Sequence, residues 1–293
     1  MEFRKASRQK AKIRLGLSAV SGGGKTYSAL IIAKGLVDDW GKVAVIDTEN
    51  GSADLYAHLG DFNVVPLNAP YSPERYVEAI HFCEKNGVEC IIIDSIAHEW
   101  EGVGGVLDLC DQIGGGFQNG WKAMTPRHER FKQSILQSKC HIITTVRRKQ
   151  DYVLQDVTNR SGKTVQAPVK AGMKEITREG WEYELTANLE LDIRHYATAS
   201  KDRTGLFMGK DPFIPNEETG KLIKDWCESG VEAPKPLPIK KKLTEAKYQQ
   251  ALSGVKNGAT LPNSDVSFFT FLTTECELTE EQLQEVEAAS QPI

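Results

Sequence analysis

A glycine-rich segment that ends in Lys25 and Thr26 is the part of the sequence best equipped to bind phosphate. Residues 19–26 read AVSGGGKT and lie between a strand-like run and a helix-like run. In that setting, glycine N–H groups converge on phosphate oxygens at the positive end of the helix, and Lys25 adds a cation. The segment therefore predicts an ATP site formed by Ser21, Gly22, Gly23, Gly24, Lys25, Thr26 and Tyr27.

An aspartate at the end of an apolar run complements this loop. Residues 90–95 read CIIIDS, so Asp94 closes a strand-like stretch. In proteins with a phosphate-binding loop, an acid in this position lies beside the loop and holds Mg²⁺, and the threonine hydroxyl of the loop is a further ligand. We therefore predict that Thr26 and Asp94 bind Mg²⁺, the expected cofactor of ATP.

A second strand-like run, VAVIDTENGS at residues 43–52, resembles the matching strand of the RecA-like recombinases. In that family the glutamate after the strand polarises the attacking water. The resemblance therefore implies that Glu49 is the catalytic base, acting with Lys25 and Asp94. Glu99, which follows Asp94 in the sequence, is the competing candidate. The alternative interpretation of Glu99 is a surface carboxylate after the strand.

A third motif, KDRTG at residues 201–205, is similar to the Lys-Asn-Arg-Phe-Gly motif of the RadA branch, with Asp202 and Thr204 replacing Asn and Phe. In those relatives the lysine and the arginine reach the nucleotide of a neighbouring subunit. The resemblance implies that Lys201 and Arg203 are catalytic in trans and that the chain self-associates as a ring or filament. A structural turn with Gly205 is the alternative.

Further segments strengthen the resemblance. Residues 144–149, TTVRRK, look like the sensor region of phage-encoded RecA-like ATPases, although the sequence does not show whether Arg147, Arg148 or Lys149 is the sensor. With WKAMTPRH at 121–128 and REGWEYE at 178–184, the set resembles the Sak-type phage ATPases, short RecA-like proteins linked to single-strand annealing. The similarity covers about residues 12–208.

A polar stretch at residues 157–174 is the candidate DNA contact. It contains four cations and no acid, and it lies in the half of the core where RecA-like proteins carry loops that touch DNA. Lysines there can bind phosphates, and an arginine can also stack on a base. An ordinary solvated loop is the alternative. The predicted nucleic-acid-binding residues are Arg160, Lys163, Lys170 and Lys174.

Composition and charge narrow the class of protein. The sequence has no run of eighteen apolar residues, no signal-peptide pattern and no Cys-x-x-Cys pair among its six cysteines. We therefore expect no membrane partner and no zinc site. We also expect a cytoplasmic location, which for a phage-encoded chain is the cytoplasm of the host.

Positive charges concentrate near the N-terminus and negative charges after Lys256. Such a separation favours a polyanionic partner, although two solvated termini are the alternative.

The order of strand-like and helix-like runs predicts an α/β fold: a RecA-like P-loop NTPase core with a mainly parallel sheet extended by antiparallel strands, plus a small C-terminal helical module. Residues 181–187 and 189–200 are the expected antiparallel strands, and the helix over 121–137 is expected to be interrupted near Pro126. The predicted boundaries are 1–11 for a basic arm, 12–230 for the core, 231–243 for a Pro/Lys-rich linker and 244–293 for the acidic module.

The leading hypothesis is an ATP-dependent, single-stranded DNA-binding RecA-like ATPase of phage recombination, annealing or replication, with ATP hydrolysed at sites between subunits. The expected partners are single-stranded DNA, further copies of the chain and, through the C-terminal module, a single-strand-binding or replication protein. The alternative is a nucleotide-dependent loader or regulatory switch that acts on a replication protein and binds no DNA itself.

Overall fold

The computed structural model describes residues 5–113, 117–158, 164–231, 241–262 and 266–290. The chain divides into two compact units, Met1–Glu232 and Ala233–Ile293. Within the described part of the chain, no helix is long and apolar enough to cross a membrane.

The larger unit is built on an eight-stranded sheet. The strands are β1 Arg14–Ala19, β2 Val43–Asp47, β3 Asn63–Pro66, β4 Cys90–Asp94, β5 His141–Thr158, β6 Thr164–Glu175, β7 Ala187–Leu191 and β8 Ala197–Asp202. The α-helices are α1 Lys25–Leu36, α2 Pro73–Lys85, α3 Ala97–Glu101, α4 Val106–Ile113, α5 Phe117–Leu136, α6 Trp181–Glu184 and α7 Glu217–Glu228. Two 3₁₀ helices span Trp40–Lys42 and Ala53–Leu59.

The strand order is β3-β2-β4-β5-β1-β7-β8, and β6 pairs with β5. Neighbouring strands from β3 to β7 run parallel. Both β8 and β6 run antiparallel to their partners. The predicted α/β class is therefore confirmed, with a mainly parallel sheet extended by antiparallel strands. One consequence of the order is that β5 lies between β1, which precedes the phosphate loop, and β4, which ends in Asp94.

The strand β4 shows how the sheet is stabilised. All five of its residues are buried, as expected for a parallel strand covered by helices on both faces. Cys90 and Ile92 belong to the core that includes α1, whereas Ile91 and Ile93 belong to the core that includes α2 and α5. Because successive side chains of a strand point to opposite faces, this uninterrupted apolar run packs into the cores on both faces of the sheet.

Two helical segments differ from the sequence-based expectation. Residues 181–184 form the short helix α6, and the strand β7 begins only at Ala187. The segment 189–200, expected to be one antiparallel strand, is divided between β7, which runs parallel to β1, and β8, which runs antiparallel to β7. The buried Trp181 stacks on Phe131 of α5, with ring centroids 6.3 Å apart, so this tryptophan anchors a helical turn and not a sheet face. Pro126 lies inside the continuous helix α5. Pro126 and Lys122 are exposed, so water can replace the backbone bond that the proline removes.

The strand β5 is much longer than the sequence indicates. Its first part pairs with β1 and β4, and from Arg148 onward it pairs with β6 as an antiparallel hairpin. We call this part, residues 148–158 with 164–175, the β5–β6 hairpin. The stretch 157–174, expected to be a loop, is therefore largely the second strand of that hairpin.

The N-terminal segment that the sequence suggests is a basic arm is attached to the core. The Arg8 guanidinium lies over the Trp226 ring, 4.6 Å from its centroid. The backbones of Arg8 and Lys10 exchange hydrogen bonds with Val231. Arg8 therefore contributes to packing at the end of α7.

The smaller unit has its own core and contains the helices α8 Glu245–Lys256, α9 Phe268–Thr270 and α10 Glu280–Ala289, and a π-helix at Phe271–Glu275. Buried Tyr248, Leu252, Leu272 and Val286 form the centre of that core. The strands β9 Lys241–Lys242 and β10 Cys276–Glu277 pair in parallel, so the last residues of the expected linker are part of the unit. The Thr-x-x-Gln spacing of Thr279 and Gln282 is typical of a capping box, and the two residues form one at the start of α10.

Two glycines allow α1 and α7 to pack with their backbones in contact. A Cβ at Gly35 would lie 1.9 Å from the Glu217 carbonyl oxygen, and a Cβ at Gly220 would lie 2.1 Å from the Ile32 carbonyl oxygen. Neither obstacle is a flexible side chain, so a methyl group at either position requires the helices to separate. The helix α1 begins at the phosphate loop, so the packing of α1 against α7 helps to fix the position of that loop.

We predict that Gly220→Ala destabilises the protein. Helix propensity alone would make alanine more favourable by about 1 kcal/mol, whereas overpacking a close contact costs about 1–3 kcal/mol. The sign of the change in the free energy of unfolding, measured by urea denaturation, tells which effect dominates. Asp225→Ala, at an exposed position of α7, is the matched control and is expected to have little effect. A stabilised Gly220→Ala protein would contradict the close packing.

Candidate functional site

A cleft of about 600 Å³ lies at the carboxyl ends of β1, β2 and β4. This is the edge of the sheet where the polar residues after parallel strands converge. The cleft is lined by Ser21, Gly22, Gly24, Lys25, Thr26, Tyr27, Ser28, Glu49, Ser52, Tyr56, Asp94, Arg147, His195, Ile214 and Pro215. The structure therefore brings the predicted loop residues together with Glu49 and Asp94, and Gly23 lies within the same loop.

The phosphate loop has the backbone that its glycines predict. Gly22 and Gly24 have φ angles of 80° and 81°, in the left-handed region where a side chain would be strained. Gly24 directly precedes α1, so the loop ends at the positive end of that helix. The Lys25 ammonium donates long hydrogen bonds of 3.4 and 3.3 Å to the carbonyls of Ala19 and Val20. Burial lowers the pKa of Lys25, and the nearby Asp94 carboxylate opposes this effect.

Asp94 is the centre of a compact oxygen-rich cluster. Its carboxylate accepts a hydrogen bond of 2.6 Å from the Thr26 hydroxyl and one of 2.5 Å from the Thr145 hydroxyl. Asp94 is 2% exposed, and burial raises its pKa. A carboxylate and an adjacent hydroxyl are the oxygen ligands that Mg²⁺ prefers, and a buried anion gains from a nearby cation. These residues therefore fit the magnesium ion expected with ATP.

The turn after β2 directs Glu49 into the cleft. The buried Asp47 carboxylate accepts hydrogen bonds from the N–H groups of Glu49 and Ala53, at 2.7 and 3.0 Å, and so fixes the turn. The Glu49 carboxylate accepts a hydrogen bond of 3.0 Å from the Ser95 hydroxyl and forms an ion pair with Arg147. Glu49 is thus held next to Asp94 by partners from two neighbouring strands.

Thr48 joins the two acidic turns. Its hydroxyl accepts a hydrogen bond of 2.8 Å from the Ser95 N–H and lies 2.8 Å from His98 Nδ1. The His98 ring stacks on Tyr71, with centroids 4.8 Å apart. Because Ser95 in turn contacts Glu49, this network links the position of the glutamate to the start of α3.

Glu99, the competing candidate for the base, does not line the cleft. Its carboxylate is 1% exposed and lies 3.1 and 3.2 Å from His128 Nδ1. Burial raises its pKa, and the contact with His128 opposes the rise. The interpretation of Glu99 as a surface carboxylate is therefore wrong: Glu99 joins α3 to α5 inside the core.

Lys201 and Arg203 lie away from the cleft of their own chain. Asp202 pairs with Ala187 at the start of β7, and Ala187 pairs with Leu15 near the start of β1, so these cations are at the opposite edge of the sheet. The Lys201 ammonium and the Arg203 guanidinium donate to the Tyr183 carbonyl. Within one subunit, both side chains therefore hold the end of α6.

The predicted DNA-binding residues fall into two groups. Lys170 and Lys174 are exposed on β6 of the hairpin. Arg160 and Lys163 lie outside the described residues. Lys174 is opposite Lys149 of β5 in the strand register, and the side chain of Lys149 is 62% exposed. The hairpin therefore presents several cations to solvent.

Part of the cleft has no signal in the sequence, namely Tyr56, Ile214 and Pro215. The rings of Tyr56 and of the predicted Tyr27 have centroids 6.3 Å apart, and they line the cleft together with Ile214 and Pro215. Such an aromatic and apolar wall suits a nucleotide base. His195 also lines the cleft, against Gly24. Isolated aromatic and proline residues carry no spacing signal, so only the three-dimensional structure shows that they meet.

Comparison with known families supports the geometry. The AAA domain family matches residues 11–210, more than half of the chain, and the chain therefore belongs to this family of P-loop ATPases. No curated protein matches the chain. The family covers the phosphate loop, Glu49, Asp94 and the β5–β6 hairpin, and it implies nucleotide binding, usually with Mg²⁺.

We predict that Glu49→Gln lowers kcat for ATP hydrolysis and leaves ATP binding nearly intact, because a group that positions water acts mainly in the transition state. Glu99→Gln alters the buried contact with His128, so it should lower thermal stability and leave kcat close to that of the wild type. Steady-state kinetics, ATP titration and thermal melting check both variants. A Glu99→Gln protein that is folded but inactive, beside an active Glu49→Gln protein, would reverse the assignment.

Proposed function

We propose that this AAA-domain ATPase is a RecA-like protein that binds single-stranded DNA and acts in phage DNA recombination, annealing or replication. The observation that carries the proposal is the path of β5. This strand contacts Asp94 through Thr145, lines the nucleotide cleft with Arg147 and continues directly into a hairpin with exposed cations. A change at the phosphate end of the cleft therefore has a covalent route to a surface suited to DNA.

Within the cleft, each residue has a task in phosphoryl transfer. The N–H groups of the phosphate loop and Lys25 would neutralise the phosphate oxygens, and Thr26 and Asp94 would hold Mg²⁺. When bound, the metal would stabilise the charge that develops on the phosphates. Glu49 would orient the attacking water, and the wall of Tyr27 and Tyr56 would hold the adenine.

Arg147 supplies a route by which ATP could activate Glu49. The Arg147 side chain is 44% exposed and forms an ion pair with Glu49, which is 20% exposed. A γ-phosphate carries more negative charge than a carboxylate and would compete for the guanidinium. Transfer of Arg147 to phosphate would release Glu49 for water. Because Arg148 is the first residue of the hairpin, the same movement would displace the base of the hairpin.

The placement of the cations supports a DNA contact at the hairpin. Lys170 and Lys174 are exposed, and Lys149 adds a third positive charge opposite Lys174. Like charges directly opposite each other destabilise a strand pair, so a polyanion that binds both would relieve this repulsion. The Glu101 carboxylate, 3.7 Å from the Lys149 ammonium, compensates part of that charge.

Lys201 and Arg203 fit a role in a neighbouring subunit. They lie at the edge of the sheet opposite the cleft, so they would serve a nucleotide only across an interface between copies. ATP hydrolysis would then depend on assembly into a ring or filament.

The C-terminal unit has its own core and would bind a single-strand-binding or replication protein. The proposed location is the cytoplasm, which for a phage-encoded chain is the cytoplasm of the host.

We predict that Lys170→Ala with Lys174→Ala weakens binding of single-stranded DNA of any sequence. Each lost phosphate contact should reduce the slope of log K against log salt by about 0.7 for single strands. Basal ATPase activity should survive, because neither lysine lines the cleft. The matched control is Lys85→Ala with Lys139→Ala, two exposed lysines at the opposite edge of the sheet. Fluorescence anisotropy with a labelled oligonucleotide at several salt concentrations measures both pairs.

The outcomes of this experiment separate the two hypotheses. Equal losses in the two double variants would show that the hairpin has no special role. If the wild-type chain with ATP has no salt-sensitive affinity for single-stranded DNA and no DNA-stimulated ATPase activity, the DNA function falls. The loader or regulator of a replication protein then takes its place.

We predict that Arg203→Ala protein binds ATP but hydrolyses it slowly, and that mixing it with Glu49→Gln protein restores activity. A mixed interface can combine an intact Glu49 from one subunit with an intact Arg203 from the other. ATPase assays across mixing ratios measure the rescue, in assemblies shown to exchange subunits. If no ratio restores activity, Arg203 serves only to hold α6 through the Tyr183 carbonyl.

A further inference from the structure

A second cavity, of about 640 Å³, lies between the turn from β7 to β8 and the base of the β5–β6 hairpin. We call it the turn cavity. Residues 192–196 form the β7–β8 turn, in which His195 lines the nucleotide cleft whereas Arg194 and Tyr196 line the turn cavity. On the side of the hairpin the lining residues are Arg148 and Met173. One short turn therefore contributes to both sites.

The turn is built to hold these side chains in place. The Asp192 carboxylate accepts hydrogen bonds of 2.8 and 2.9 Å from the N–H groups of Arg194 and Tyr196. The Asp192 N–H donates to the Tyr196 carbonyl at 2.9 Å, and the His195 N–H donates to the Asp192 carbonyl at 3.0 Å. These bonds use backbone atoms of Tyr196, so its ring is left available for another contact.

The turn cavity offers a surface on which a flat ring can stack. Tyr196 is 39% exposed, and the Arg194 guanidinium lies 5.6 Å from the centre of its ring. Met173, 37% exposed, adds an adaptable apolar contact from the hairpin. Aromatic rings and guanidinium groups side by side are the surfaces on which single-stranded nucleic acids stack their bases.

The charges of the cavity favour a base over a phosphate. Arg148 forms an ion pair with Glu190 at 2.7 Å, and Arg194 lies 3.5 Å from the Asp192 carboxylate. Each cation is thus matched by an acid, and the cavity has no net attraction for an anion. It does present donors and acceptors next to each other, as the edge of a nucleobase requires. The Arg148 Nε–H is buried and has no hydrogen-bond partner in the described structure.

We propose that the turn cavity binds a nucleobase of single-stranded DNA, stacked on Tyr196 and hydrogen-bonded near Arg148 and Glu190. The phosphates on either side would lie on the exposed Lys170 and Lys174 of the adjacent hairpin. This inference rests on the proposed DNA-binding function and adds to it a contact that reads the base. It also places the base beside the nucleotide cleft, because a Cβ at Gly24 would lie 2.7 Å from His195 Nδ1 of the same turn.

The test compares intact and abasic oligothymidylate of equal length, labelled with fluorescein, in the presence of a non-hydrolysable ATP analogue. Tyr196→Ala should weaken binding of intact DNA by about 5- to 150-fold, the equivalent of the stacking lost for one base. Its salt slope should equal that of the wild type, because no phosphate contact is removed. Binding of abasic DNA should change little. Tyr196→Phe, which keeps the ring, should bind intact DNA nearly as the wild type does.

Tyr183→Ala is the matched control, because Tyr183 is more exposed than Tyr196, at 69%, and lies outside the turn cavity. A separate measurement needs no variant: 2-aminopurine in the oligonucleotide should lose fluorescence on binding to the wild-type protein as its ring stacks. Affinity for the ATP analogue shows that each variant is folded.

Three results would overturn the inference. If Tyr196→Ala binds intact DNA as the wild type does, the base site is absent although the DNA function stands. If Tyr196→Ala weakens intact and abasic DNA equally, the ring supports the fold or the backbone path and no base. If the wild-type protein with nucleotide does not bind single-stranded DNA, the base site falls together with the proposed function.

Discussion

The buried carboxylate of Asp94 is the constraint on which the nucleotide site depends. An isolated carboxylate in the protein interior costs several kcal/mol, so it must be paired or hydrogen-bonded. Here the partners come from two other elements: Thr26 lies in the first turn of α1, and Thr145 lies on β5. Satisfying one buried acid therefore brings together the phosphate loop, the strand of the acid and the strand that continues into the hairpin.

The strand order places β5 where its side chains can reach both acidic residues of the cleft. With β5 between β1 and β4, the residues at the end of its parallel part, which pairs with β1 as far as Arg147, must lie between the phosphate loop and Asp94. Thr145 uses this position to satisfy Asp94, and Arg147 uses it to reach Glu49. Beyond Arg147 the strand no longer pairs with β1 or β4, and it pairs with β6 alone. A strand that is rigid within the sheet and continues outside it can carry a small displacement from the phosphates to the hairpin.

The sequence predicts those features whose determinants are local. The phosphate loop, the apolar strand ending in Asp94 and the turn that presents Glu49 are encoded by consecutive residues, and the structure brings all three to one cleft. The capping of α10 by Thr279 and Gln282 is equally local. In contrast, Glu99 looks like a surface residue because its partner His128 is distant in the chain. Tyr56 and Ile214 escape prediction for the same reason, because they are distant in the chain from the predicted Tyr27, with which they line the cleft.

The hairpin lacks a strand signal in the sequence for a different reason. Apolar residues alternate in β6 only at Val165, Ala167 and Val169, among polar and glycine residues that are typical of loops. An exposed two-stranded ribbon needs no apolar face against a core, so its sequence lacks the signal by which buried strands are recognised. The 181–187 segment shows the opposite error: Trp181 has strand propensity, yet its stacking on Phe131 stabilises a helical turn.

The positions of the two sets of catalytic candidates constrain how copies could assemble. The cleft and the cations Lys201 and Arg203 lie at opposite edges of the sheet. An interface that joins the cleft edge of one copy to the opposite edge of the next copy is head-to-tail, because it joins two different surfaces. Such an interface repeats until it closes as a ring or extends as a filament. The exposed Tyr27 and Ile214 at the cleft, 44% and 51% accessible, are the apolar surface that this contact would cover. An assembly in which each subunit completes the next would make ATP turnover depend on the same contacts that align successive hairpins along a strand of DNA.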